Sequence, residues 1–395
     1  MKNIILKLTF LALIAFSGSN LLVAIGYNFN YMKCILYPVV ILGTIAVIYF
    51  NRALFNEKTH IEEFGLLLFV LIAVCYIVAG RGVYSVNYYS VCLFPLLYST
   101  LLKYSEKSQT VFVFLKRTCF VFFIINSTIA ILERLFLKNL LPNIGDDVVL
   151  DFSQEEGFRS LGLMGHPLNG AFFTATMTLF VLFSYLKTRQ KLILFFMGIT
   201  SLFCYNSRAA ILGVGMGTVA YFLRNLLFDK TLKSRLYLII GGILFICIIK
   251  YLLESGLGDR LVDFGTDKSS EVRSDNLMVL YFLSIKDLLF GLNNNEVYYA
   301  TLKYGGTTSI IENPWINYIL RYGLVFLCVL VIFYGYYFYN QIKDGKKYGY
   351  LIIFFVWLIV QSSNNGFSAA CDTSIVLLMT LLFVFKHINR HEKLN

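Results

Sequence analysis

Apolar residues run along this chain in long blocks separated by short polar punctuation. Twelve runs stand out, at about 4–24, 34–50, 64–79, 89–102, 111–132, 168–186, 192–206, 209–227, 236–253, 315–339, 350–366 and 374–385. A helix crossing the hydrocarbon core of a bilayer takes about 20 apolar residues, so the runs read as membrane spans; the fourth and the last are short. The fifth carries Lys116 and Arg117 in its first turns, and both can snorkel to the headgroups if the helix starts near 118. The pattern predicts an all-α, polytopic integral membrane protein of about twelve transmembrane helices, forming a single domain over 1–395.

Composition agrees with that reading. The chain is 58% hydrophobic and 14% charged, whereas a soluble domain carries roughly a quarter of its residues charged. The formal net charge of +11 is explained by topology. With the N-terminus in the cytoplasm, 21 of the 34 Lys and Arg residues fall in cytoplasmic segments, 12 fall outside and Arg321 sits within a span. The acids divide the other way, 7 inside and 16 outside. This is the positive-inside bias, and it places both termini in the cytoplasm. A nucleic-acid footprint would be a clustered basic face on a soluble domain, and the sequence has none. Lys2 and Lys7 before the first run resemble the start of a signal peptide. No clear small-x-small cleavage site follows, so the run is read as an uncleaved first helix. Eight cysteines are present without a C-x-x-C pair, which argues against zinc or a disulfide framework.

Two connections are longer than the rest, and both fall on the outer face: 133–167 and 254–314. Long loops without an apolar run of their own are commonly functional. The larger contains "SEVRSDNLMVLYFLSIKDLLFG" at 270–291, whose apolar core at 277–285 is too short to cross. It reads as an amphipathic surface helix lying on the membrane or capping the bundle, with a re-entrant segment as the rival reading.

The outer face also holds the candidate chemistry. Arg159 and His166 stand in the first long loop, Arg208 in the tight turn between the seventh and eighth spans, and Arg260 and Arg273 in the second long loop. Glu312 stands where that loop re-enters the bilayer in "ENPWINYILRYGLV". Converging arginines at a lipid boundary suit a polyanion with an apolar tail, because guanidinium groups bind phosphate oxygens bidentately. A polyprenyl pyrophosphate fits that description. Each residue also has a structural explanation. Arg208 would cap the preceding helix or anchor to headgroups, and Arg273 would be a solvated loop charge. His166 before Pro167 would form a helix-entry turn. Glu312 would cap the tenth span. Arg321, six residues inside that span, would face a cavity or an ion-pair partner.

In combination these segments resemble the O-antigen polymerase and O-antigen ligase superfamily, bacterial glycosyltransferases that use undecaprenyl-pyrophosphate-linked sugars. Arg159 and Gly170 are separated by ten residues, similar to an Arg-x10-Gly motif in an outer loop of the polymerases. "NSRAAILGVG" at 206–215 is similar to the family's Ser-Arg-Gly/Ala turn leading into a Gly-rich helix. "ENPWINYILRYGLV" is similar to the His-Asn-x-Tyr-Leu…Gly-Leu signature after the large outer loop. Here Glu312 replaces the His, a departure that favours polymerase over ligase.

The resemblance implies a GT-C-like membrane fold with two enlarged extracytoplasmic loops in the bacterial cytoplasmic membrane. It implies inverting, metal-independent transfer of a growing glycan onto a fresh lipid-linked repeat unit, with no cofactor. Glu312 would take the acceptor proton, with His166 or Asp275 as understudies. Arg159, Arg208 and Arg273 would neutralise the departing pyrophosphate, while Arg321, Asn313 and Gly170 would line the substrate site. Asp146 and Asp147 are adjacent acids without a third ligand in sequence, so no metal site is expected. Implied partners are the lipid-linked glycans, the bilayer, a chain-length regulator and a flippase. The rival from another class is a flippase or other secondary transporter, which would place charges and broken helices near the midplane.

Overall fold

The structure is a computed structural model that describes residues 2–16, 60–81, 85–105, 108–141, 158–184, 186–228, scattered positions between 239 and 251, 277–304, 313–343, 347–363 and 374–391. The second apolar run and most of the ninth lie outside these residues. Among the described residues every regular element is helical. They are α1 (Lys2–Phe16), α2 (His60–Val78), α3 (Ser85–Tyr88), a π turn (Tyr89–Leu93), α4 (Phe94–Ser105), α5 (Gln109–Phe136), a 3-10 turn (Gly162–Met164), α6 (Pro167–Phe183), α7 (Thr188–Tyr205), α8 (Arg208–Phe228), α9 (Ile285–Phe290), α10 (Asn294–Tyr304), α11 (Pro314–Lys343), α12 (Lys347–Ser362) and α13 (Ser374–His391). Four helices are long and apolar enough to cross a membrane, by length and composition: α2, α5, most of α8 and most of α11. Shorter apolar helices cover Tyr89–Lys103, Pro167–Phe183, Tyr348–Ser362 and Ser374–Val384.

The helices bury an apolar core and also present apolar side chains outward. On α2, Phe64, Leu67, Leu71, Val74 and Val78 are exposed at three- and four-residue spacing, while Glu62, Gly65 and Phe69 are buried. A continuous apolar stripe of this kind in water would invite association; in lipid it faces its own solvent. The buried Glu62 accepts hydrogen bonds from Ser99 Oγ at 2.9 Å and from Lys103 Nζ at 2.6 Å, which ties α2 to α4. An embedded carboxylate needs such partners to offset its desolvation.

Helix α6 is the hub. Fourteen of its 17 residues are buried, and it packs against α5, α7, α8, α12 and α13. Its hydroxyls are absorbed locally: Thr176 and Thr178 donate to the carbonyls of Phe172 and Thr174. Close approach of its neighbours comes from small residues. Added β-carbons at Gly213 and Gly217 on α8 would meet Val356 of α12 at 2.9 Å and Leu179 of α6 at 2.6 Å, whereas one at Gly215 would meet nothing within 4 Å. The Gly213-x-x-x-Gly217 spacing therefore lets α8 settle against both partners, the device by which small residues bring membrane helices together.

Helix α11 is broken. Gly323 holds φ 81° and ψ 167° inside it, dividing it into 314–322 and 324–343. The second part is about 20 residues, long enough to span alone. Arg321 sits in the last turn of the first part, next to the break. The surface helix expected over 270–291 is also divided: a helical turn at 277–281 ends, and α9 starts afresh after Ser284. The Ser284 hydroxyl accepts from Asp287 N–H at 3.2 Å, a local cap that competes with helix continuation. Helix α9 lies across the break in α11, with Leu292 N–H donating to the Leu320 carbonyl at 2.7 Å.

Candidate functional site

The stretch carrying Arg159 is an inserted segment of backbone. Residues 158–164 are all buried, and they run down the side of α5. Arg134 donates to the Phe158 carbonyl, Ser160 Oγ donates to the Ala130 carbonyl at 2.6 Å, and Leu163 N–H donates to Asn126 Oδ1 at 3.0 Å. Partners at 134, 130 and 126 descend two helical turns, about 12 Å at 1.5 Å per residue. Irregular backbone at such depth survives only where protein satisfies its amides. Here that service comes from Asn126 and from Glu133, whose carboxylate accepts from Leu161 and Gly162 N–H at 2.8 and 2.9 Å.

Arg159 is 7% exposed, and its Nε donates to the Tyr205 carbonyl at 3.2 Å. Tyr205 is the last residue of α7, and Asn206 turns the chain left-handed at φ 50° before α8 begins with Arg208. Arg159 thus makes a carbonyl-capping contact at this helix end. Gly170 completes the arrangement: a β-carbon there would meet the Tyr205 ring at 2.4 Å, and one at Gly162 would meet its hydroxyl at 2.4 Å. The Arg-x10-Gly spacing thus corresponds to two ends of a clamp on Tyr205, with Arg159 on its carbonyl and Gly170 under its ring. Gly170→Ala is expected to displace the ring and destabilise the fold by about 1–3 kcal/mol, while Gly215→Ala is neutral or slightly stabilising. Thermal unfolding of the two purified variants checks the contrast.

His166 is the N-cap of α6. Its Nδ1 accepts from Leu168 N–H at 3.2 Å, and Pro167 occupies the first helical position. Burial, reinforced by the Arg159 charge, lowers its pKa to about 4. The ring is therefore neutral at physiological pH, but its available lone pair is committed to the cap. This favours the helix-entry role over that of a base. Because the unfolded chain binds the proton more tightly, the stability tied to His166 is complete above about pH 6.5. It is lost as pH falls toward about 4, amounting to about 3 kcal/mol. His166→Asn keeps a capping side chain without a titrating ring, so its melting temperature should fall less between pH 7 and 4.5 than that of the wild type. Equal losses would contradict this assignment.

A second polar group gathers at the break in α11. Arg81 donates to the Gly291 carbonyl and lies 3.7 Å from Asp287. Tyr76 donates to the Tyr322 carbonyl beside the break. Arg321 Nε donates to Asn317 Oδ1 at 2.7 Å. Asn313, expected as a substrate ligand, is the helix cap: its Oδ1 accepts from Trp315 and Ile316 N–H at 2.9 and 3.3 Å. The cap pictured for Glu312 is thus supplied by its neighbour. Both polar groups lie at one end of the bundle. Trp315 Nε1 donates to Ser362 at the end of α12, and the same end of α12 packs on the start of α8, where Gly213 approaches Val356 and Val360.

The structure therefore brings Arg159, His166 and Gly170 together, with Arg208 three residues beyond Tyr205. It places Asn313 and Arg321 in the neighbouring group. Glu312, Arg273, Asp275, Arg260, Asp146 and Asp147 lie outside the described residues. Glu133, Asn126 and Tyr205 belong to none of the motifs that the sequence offers. The available signal was polarity: Asn126 and Glu133 interrupt an otherwise apolar run, and embedded polar residues in such runs are seldom idle. No protein-family model matches this chain, and no curated protein matches it.

Proposed function

We propose that this protein is a membrane glycosyltransferase that polymerises undecaprenyl-pyrophosphate-linked repeat units into a surface polysaccharide on the outer face of the bacterial cytoplasmic membrane. In this reading all twelve apolar runs cross the bilayer in a GT-C-like arrangement. The observation that carries it is the gathering of Arg159 and Arg208 around the Tyr205 turn, at the end of the bundle that also holds Arg81 and Arg321. That grouping supplies fixed positive charge at the boundary between apolar helices and water, where a lipid pyrophosphate has its headgroup. Fixed cations aimed at a leaving pyrophosphate stabilise charge that develops during transfer.

Arg159 meets the pyrophosphate in a protein-lined recess in this reading, because the side chain is buried. Arg208 and Arg273 share the charge, and Glu312 takes the proton from the acceptor hydroxyl. His166 serves the site by starting α6. In this reading the span is formed by 324–343 and the break at Gly323 lies at its entrance, which gives no support to the flippase alternative.

Reconstitution in vesicles with lipid-linked repeat units tests the proposal. A polymer ladder from the wild type, lost in Glu312→Ala and Arg273→Ala, is the expected result. Transfer to a lipid A core without a ladder would make the protein a ligase. Movement of the lipid-linked unit across the bilayer without any new glycosidic bond would make it a transporter.

A further inference from the structure

The loop carrying Arg159 turns on two consecutive amides of opposite hand. Leu161 is right-handed at φ −98° and ψ −34°, and Gly162 is left-handed at φ 58°. That order points successive N–H groups into one concavity, a nest suited to an anion. The nest is filled from within the chain. Glu133 Oε2 accepts from Leu161 and Gly162 N–H at 2.8 and 2.9 Å, and Oε1 accepts from Leu140 N–H at 3.2 Å. Glu133 is fully buried at 0% exposure. Both its oxygens act as acceptors, and three backbone amides hold them. Immediately upstream of the nest, Ser160 N–H donates to the Cys204 carbonyl at 3.1 Å, next to the Tyr205 carbonyl that takes Arg159.

We propose that Glu133 is a positioning residue: by occupying the Leu161–Gly162 nest it sets the depth and orientation at which the inserted loop presents Arg159. An open nest would offer these amides to a substrate phosphate. Glu133 closes it, so recognition of the anion falls to the Arg159 side chain. The positioning role rests on the reading of Arg159 as a pyrophosphate ligand, whereas occupancy of the nest does not.

Hydrogen exchange on the full-length protein in nanodiscs reads the nest directly. In the wild type the Leu161 and Gly162 amides should be strongly protected. Glu133→Gln can keep its one acceptor oxygen on both amides and turn its NH2 toward Leu140 N–H, so it should expose Leu140 while Leu161 and Gly162 keep most of their protection. Glu133→Ala should lower the protection of Leu161 and Gly162 at least tenfold, while peptides from α6 and α8 keep theirs, and regain it in millimolar formate, which refills the nest. Glu133→Asp should retain part of it. In the vesicle assay, Glu133→Ala should slow polymerisation at least tenfold through kcat more than KM, and the Glu133→Ala/Arg159→Ala double variant should be no slower than Arg159→Ala.

Unprotected Leu161 and Gly162 amides in the wild type, or undiminished protection in Glu133→Ala, would overturn the proposal. So would a double variant slowed by the product of the two single effects. If Arg159→Ala polymerises at the wild-type rate while the exchange results hold, the nest stands. In that case the positioning role falls together with the assignment of Arg159.

Discussion

Replacing Arg159 by alanine is expected to abolish the polymer ladder, lowering the rate of chain extension by roughly 10²–10³, the usual effect of removing one preorganised donor to developing charge. The side chain has two tasks, and the variants separate them. Its Nε donates to the Tyr205 carbonyl, and leaving that buried carbonyl unpaired costs about 1–3 kcal/mol of stability. Arg159→Gln retains an N–H donor on a shorter side chain without the charge, so it should fold nearly as well as the wild type yet extend chains as poorly as Arg159→Ala. Arg159→Lys keeps the charge and loses the planar fork that matches phosphate oxygens; it should be intermediate. Melting temperature and ladder length, recorded on the same vesicle preparations, decide the matter. An Arg159→Gln protein that polymerises at the wild-type rate would remove Arg159 from the site.

Gly323→Ala is expected to have the largest structural effect of any conservative change described here. At φ 81° and ψ 167° the backbone occupies a region open almost only to glycine, which costs an L-residue about 1–3 kcal/mol. The added β-carbon would lie 2.2 Å from the Leu289 carbonyl oxygen and 2.5 Å from the Phe290 nitrogen. These are backbone atoms and cannot rotate away. Helix α9 would have to leave the break, losing the bond from Leu292 N–H to the Leu320 carbonyl and the contacts that Arg81 makes with Gly291 and Asp287. A combined loss above about 4 kcal/mol is expected, visible as a collapse in folded yield after solubilisation. Gly335→Ala on the same helix is the control: nothing lies within 4 Å of its β-carbon, so it should gain up to about 1 kcal/mol. Equal yields for the two variants would show that the break is not needed.

Much of the helical layout was legible in the order of apolar and polar residues. The runs near 64–79, 111–132, 168–186, 192–206, 209–227, 315–339, 350–366 and 374–385 each coincide with a helix, because a block of apolar side chains with no other outlet for its backbone amides adopts the one conformation that satisfies them internally. The start of α6 was legible too: a residue before proline leaves helical geometry, and His166 caps there. Other features were not. A glycine within an apolar run looks the same whether it lies in a straight helix, as Gly335 does, or at a break, as Gly323 does. The difference is made by α9, which comes from elsewhere in the chain and presses its backbone on one of the two. The same holds for Arg321, whose place beside that break is set by α9.

The site divides in the same way. Residue types and placement were sufficient to single out Arg159, His166 and Arg208, since charge and turn chemistry are local properties of the chain, whereas Gly170 came only from the resemblance to an Arg-x10-Gly motif. That Gly170 and Gly162 are required by one tyrosine ring, that Arg159 closes the end of α7, and that Glu133 fills the turn beside it were decided only by packing. The sequence by itself determined that the chain is helical, apolar in blocks and supplied with arginines between those blocks. Tertiary structure decided which of its polar groups meet, because a buried hydrogen bond forms only where helices distant in sequence bring a donor and an acceptor within reach of one another.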